Sequence, residues 1–130
     1  CKCAGGRKVG YKGKMPGVLE EILIASELGC PLYLLGGFGG VVRDVCELLQ
    51  DNKCSDSLTE QWQSSCNKGY RELLQRYKEQ GEEVDYLELQ NKLRCINFNN
   101  GLTQEENEIL FNTVYVDEAI QLILKGLQSI

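Results

Sequence analysis

One segment of this chain, Pro31-Leu32-Tyr33-Leu34-Leu35, is a short continuous apolar run and the one strong strand signal in 130 residues. Continuous rather than alternating hydrophobicity marks a strand covered on both faces, as in a parallel sheet. A sheet of one or two strands does not stand alone in water. The run must therefore be buried between helices, and the flanking sequence supplies them.

Upstream, Val18, Leu19, Ile22, Leu23, Ala25 and Leu28 recur at helical spacing, with Pro16 suited to the helix start and Gly29 to its end. Downstream, Val41, Val42, Val45, Cys46, Leu48 and Leu49 form a second apolar stripe. Residues 2–5 read as the end of another strand. The first 50 residues thus alternate strand and helix, which makes the chain α/β. Arg43 and Asp44, early in the second helix, are expected at the surface.

From residue 51 the pattern is helical throughout. Ser57-x-x-Glu60 has the capping-box spacing, so a helix is expected from about Leu58, with Gly69 as a weak point and Gly81 as its end. Trp62, Tyr70 and Tyr77 lie on its apolar stripe and are expected to pack. Asp85 to Cys95 reads as another helix, Asn97 to Gly101 as a turn. Thr103-x-x-Glu106 is a second capping box. The last helix carries Val116, Ala119, Ile120, Ile123, Leu124 and Leu127 on one face. The expected division is a βα ligand-loop region over 1–50 and a helical region over 51–130, within one domain over 1–130. Two readings of so small a sheet stand side by side. The chain is the C-terminal part of a larger α/β domain, which its abrupt opening at Cys1 favours, or helices dominate a smaller fold.

Composition excludes several classes. Net charge is −5, from 14 Lys and Arg against 19 Asp and Glu. Nucleic acid and an anionic membrane surface both need a basic face, so neither is expected as a partner. There is no apolar run of about 18 residues. The chain has no histidine, so no histidine triad, dyad or metal ligand can be built from it. Acid–base work would fall to carboxylates, Lys, Tyr or Cys. The seven cysteines lack any C-x-x-C pair and are expected to be reduced and structural, in a cytoplasmic protein without bound metal or cofactor.

Two glycine-rich segments are the candidate site. Gly10-Tyr11-Lys12-Gly13-Lys14-Met15-Pro16-Gly17 leads into the first helix, and Gly36-Gly37-Phe38-Gly39-Gly40 joins the strand to the second. Glycine allows close backbone approach, and a helix N-terminus offers free N–H groups to an anion. In parallel α/β sheets, ligands bind outside the carboxyl ends of the strands, where both loops would lie. Arg7, in Gly5-Gly6-Arg7, could take phosphate bidentately, with Lys12 and Lys14 as point charges. Tyr11 and Phe38 could stack on a base. Neither loop is a Walker A or a G-x-G-x-x-G fingerprint.

The run Gly13-Lys14-Met15-Pro16-Gly17-Val18-Leu19-Glu20-Glu21, followed by Pro31 to Gly40, resembles the SLOG superfamily of Rossmann-like nucleotide-sensing domains. The specific part of the resemblance is residues 5–40. It implies a Rossmann-like parallel sheet with flanking helices and a helix-rich C-terminal half. It also implies a family strand–loop–helix unit that would lie upstream of Cys1. The implied function is sensing of a nucleotide-derived ligand, NAD- or ADP-ribose-related, in bacterial signalling or defence. Homo-oligomers and an attached effector domain belong to that picture. The implied ligand-binding residues are Gly6, Arg7, Lys14, Met15, Pro16, Gly17, Glu21, Gly36, Gly37, Phe38 and Gly39. In the hydrolase branch of the superfamily the corresponding loop reads P-G-G-x-G-T-x-x-E. Here Pro16, Gly17 and the acidic pair remain, while the second glycine and the Thr do not. The alternatives are N-glycosidic hydrolysis of a nucleotide with Glu20 or Glu21 as the catalytic carboxylate, and a structural self-association domain.

Overall fold

The computed structural model describes all residues, Cys1–Ile130. Its two strands, β1 (Lys2–Ala4) and β2 (Tyr33–Leu35), pair in parallel with Cys3 opposite Leu34. Between them runs α1 (Gly17–Glu27), the crossover that parallel pairing requires. A 3₁₀ turn at Gly36–Phe38 leads from β2 into α2 (Gly40–Asp51). The helical half follows as a 3₁₀ turn at Asp56–Leu58, α3 (Glu60–Cys66), α4 (Tyr70–Glu79), α5 (Tyr86–Arg94), α6 (Gln104–Asn112) and α7 (Val116–Gln128). The chain is thus α/β, helix-rich with a small parallel sheet.

The continuous apolar run of β2 has its explanation in this layering. Side chains alternate across a strand, so each face of the sheet needs a cover. Cys3 and Leu34 point into the main core with Leu19 and Ile22 of α1, Val42 and Val45 of α2, and Leu89 and Leu93 of α5. Tyr33 points the other way, against Leu110 of α6 and Ala119 and Ile123 of α7. Its hydroxyl donates to the carbonyl of Asn100 at 2.9 Å, so its own polar atom is satisfied. Each fully buried Leu or Ile stabilises the fold by roughly 1.5–3 kcal/mol.

Some local readings change. The helix expected from Leu58 begins instead at Glu60, because Ser57 is not its cap. Thr59 takes that position and accepts from the Trp62 amide at 3.4 Å, while the Ser57 hydroxyl donates to the Asp44 carboxylate. The same helix breaks at Gly69, whose left-handed backbone separates α3 from α4. Of the three aromatics on that stripe, Tyr70 is buried and Trp62 and Tyr77 are half-buried. Asp44 is not a surface residue but is 4% exposed. Cys1, Cys54, Cys66 and Cys95 are exposed, so only part of the sulfur is structural; all seven thiols are free. Burial pushes the Cys46 thiol up to about 12, which keeps it protonated. Along α7, Val116, Ile120, Leu124 and Leu127 stay about half in water, and only Ala119 and Ile123 of the predicted face are buried. No helix is long and apolar enough to cross a membrane.

The second capping box forms as predicted. The Thr103 hydroxyl accepts from the Glu106 amide at 3.2 Å, and Glu106 accepts from the Thr103 amide at 3.1 Å. Glu106 also pairs with Lys125 of α7, which with the Thr103 amide holds its carboxyl below the usual carboxylate range. Thr103→Ala is therefore expected to cost about 1 kcal/mol. A thermal melt checks this: the midpoint should fall by a few degrees, and an unchanged midpoint would mean that the cap contributes nothing here.

Candidate functional site

The site begins where β1 ends. Gly5 and Gly6 both have positive φ, and Gly6 sits between the first turns of two helices. A Cβ built on Gly6 would stand 2.8 Å from Val41 Cγ1 of α2 and 2.9 Å from Val18 Cβ of α1. Gly6 therefore marks the junction of the β1 carboxyl end with the N-termini of α1 and α2. Gly40, also at positive φ, completes it: a side chain there would overlap the Gly5–Gly6 backbone.

The two helix N-termini differ in what they leave open. In α2 the amides of Val41 and Val42 donate to the carbonyls of Gly6 and Gly5 at 3.2 and 3.1 Å. The second glycine loop was expected to present free donors, and these two are instead consumed by the first loop. In α1 the cap is Pro16, which has no side-chain acceptor to offer, and the amides of Gly17, Val18 and Leu19 find no acceptor in the chain. Gly17 is exposed and Val18 half-buried, so donors open outward there. An unsatisfied helix N-terminus favours an anion or carboxylate.

The candidate residues separate into three groups. Gly6, Arg7, Pro16, Gly17 and Gly39 lie at or beside the junction; Arg7 is exposed and makes no ion pair, and Gly39 is the cap of α2 with φ 78°. Glu20 is half-buried and Glu21 exposed on α1, and neither makes a side-chain hydrogen bond or ion pair. Phe38 is 41% exposed, its ring available. A second group turns inward. Met15 belongs to the main core, and Lys14 and Met15 border a cavity of about 140 Å³ shared with Leu23, Val84 and Asp85. Gly36 and Gly37 form the third group. A Cβ on Gly36 would overlap the Phe111 carbonyl, and one on Gly37 the Thr113 carbonyl. These two glycines seat the end of α6 against the strand–helix turn, a packing role that the glycine pattern alone does not separate from ligand approach.

Helix α2 and the helical half reach the first loop through polar side chains. Lys8 pairs with buried Asp44 at 3.0 Å. Gln63, fully buried, donates to the carbonyls of Lys8 and Ser57 at 3.1 and 2.7 Å and accepts from Tyr11 and Asn67. Tyr70 donates to the Lys14 carbonyl, and its hydroxyl meets that of Tyr86 at 2.6 Å. Burial raises the phenols of Tyr11, Tyr70 and Tyr86 above their ordinary range, so all three stay protonated. A helical wheel would have exposed Asp44: it falls between Val41 and Leu48 on the apolar face of α2.

A larger cavity, about 680 Å³, lies at the amino end of β2, bordered by Arg94, Asn97, Phe98, Asn100, Asn107 and Phe111 among others. It is far in the topology from the glycine junction, because Leu32 just before β2 donates to the Phe98 carbonyl. Its signal in the sequence is the asparagine-rich turn at 97–100. No three Cys, Asp or Glu side chains gather as a metal-binding group.

Parallel strands whose carboxyl ends open onto helix N-termini place the molecule among parallel α/β domains. Residues 3–110 match the family model described as SLOG cluster2, and the chain belongs to that family. No curated protein and no solved structure matches it. The match spans β1 to α6, so it includes the whole glycine junction and stops before α7.

Proposed function

We propose that this chain is a binding domain that senses a nucleotide-derived ligand, NAD- or ADP-ribose-related, in a Rossmann-like site at the glycine junction. The carrying observation is the unsatisfied N-terminus of α1, with three amides lacking an acceptor beside exposed Arg7 and the Gly6 turn. Open backbone donors and a guanidinium suit a phosphate or pyrophosphate. Family membership supports a nucleotide-related role. In this reading Arg7 and Gly17 face the phosphates, Phe38 stacks on a flat ring, and Glu21 takes a ribose hydroxyl, while Lys14 lies back from them with Met15. Gly36, Gly37 and Met15 shape the site from behind. The setting is bacterial signalling or defence.

Thermal shift with AMP, NAD, ADP-ribose and cyclic ADP-ribose tests this. A ligand at about 100 times its Kd adds about 2.7 kcal/mol, several degrees for a domain of this size. A selective rise is expected with one of them, reduced by Arg7→Ala. The absence of any shift across the panel would remove the reading. Release of free base from the ligand that binds, abolished by Glu20→Ala or Glu21→Ala, would convert the sensor into an N-glycosidic hydrolase.

A further inference from the structure

Residues 7–16 run from the Gly6 wedge to the start of α1 without regular structure, so their path decides where Arg7, Lys14 and the open amides stand. A glycine-bearing segment of this length carries a large conformational entropy, of order 1 kcal/mol or more per residue fixed. It is held at four points, one from α2 and three from the helical half. The Asp44 carboxylate takes the Lys8 ammonium at 3.0 and 3.1 Å. Gln63 donates to the Lys8 carbonyl at 3.1 Å and accepts from the Tyr11 hydroxyl. Asn67 Oδ1 accepts from the Gly10 amide at 3.1 Å. Tyr70 donates to the Lys14 carbonyl and meets the Tyr11 ring edge-on at 5.7 Å.

Asp44 is the member that packing does not explain. It lies on the apolar face of α2, 4% exposed, where a buried carboxylate is costly unless paired. Apolar residues in place of a buried ion pair often stabilise a protein. What the carboxylate does and a leucine would not is fix Lys8, which reaches both of its oxygens, while Ser57 donates to Oδ2. We propose that Asp44 is a positioning residue for the ligand loop: through Lys8 it presets residues 7–14, so that a buried carboxylate inside α2 sets the affinity of a site it does not touch. This rests on the ligand reading above for its effect on binding, and on contacts alone for its effect on the loop.

The test separates loop order from stability. In Asp44→Asn, and in Asp44→Leu combined with Ser57→Ala, hydrogen exchange of the Gly10 amide, the one in residues 8–13 with an acceptor, should quicken about tenfold. Exchange in α1, β2 and α6 should stay as in the wild type. The Leu/Ala pair should melt no lower than the wild type, an outcome that a merely structural role for Asp44 would not give. Affinity for ADP-ribose, by calorimetry, should fall about tenfold in both, since a competent fraction reduced to a tenth weakens binding by that factor. Unchanged exchange of the Gly10 amide in both variants would overturn the proposal, as would a loosened loop with unchanged affinity. A wild-type chain that binds no nucleotide would overturn the ligand reading and the affinity arm with it. The exchange arm would still decide whether Asp44 orders the loop.

Discussion

Gly37→Ala should lower the stability of this protein by about 3 kcal/mol, at the upper end of the range for overpacking. Gly37 is one of the positions whose φ is ordinary, so an alanine there meets no backbone penalty. The cost is contact. The added Cβ would overlap the Thr113 carbonyl, with the Asn112 carbonyl oxygen 3.0 Å away. Both belong to backbone rather than to a flexible side chain, so no rotamer change relieves the overlap. The end of α6 must lift, and that movement reaches the Tyr33 side of the core through Leu110. Gly13→Ala is the matched comparison, because the nearest atom to its Cβ would be 3.9 Å away. It should change stability by no more than about 0.5 kcal/mol. Chemical denaturation of the two variants checks this. Equal midpoints would show that residues 112 and 113 are not seated on the strand–helix turn as described.

That contrast also shows what the sequence can and cannot disclose. The strand at residues 33–35, both flanking helices and the capping box at Thr103 were legible because each follows from local pattern. Continuous apolarity, helical spacing and a Thr-x-x-Glu motif carry their own physics. The glycine loops were legible only as places where a backbone comes close to something. At Gly6 that something is two helix N-termini, and at Gly37 it is the end of another helix, at Asn112 and Thr113. Nothing local distinguishes the two, since the partner is set by tertiary packing. The capping role given to Ser57 failed for a similar reason. Its hydroxyl had two possible uses, and the buried Asp44 carboxylate, invisible to a local motif, took it. Asp44 itself was readable from its place between Val41 and Leu48, but a charge on an apolar stripe identifies a partner only when the fold supplies one. The family wording over residues 13–21 and 31–40 was the strongest signal, and the match over residues 3–110 contains it.

Gln63→Leu should lower stability severely, by roughly 3–4 kcal/mol. A glutamine amide offers two donors and one oxygen with two lone pairs, and all four are in use. Nε2 donates to the carbonyls of Lys8 and Ser57; Oε1 accepts from Tyr11 and Asn67. Gln63 is also fully buried, so water does not replace what the variant removes. Leucine fills most of the space and leaves the Ser57 carbonyl, itself in a buried residue, without its donor. Leaving buried groups unpaired costs more than the bonds contribute when formed, which is why a near-isosteric change is expected to be severe. Tyr11→Phe is the informative partner. It removes one bond and keeps the ring against Tyr70, so it should cost only about 1 kcal/mol. Gln63→Glu keeps the shape but turns a donor pair toward acceptors, setting a carboxylate oxygen against two carbonyl oxygens. It should be no milder than leucine. Denaturation midpoints for the three variants order them, and a Gln63→Leu protein as stable as Tyr11→Phe would mean that the amide is not the hub joining the glycine loop to α3.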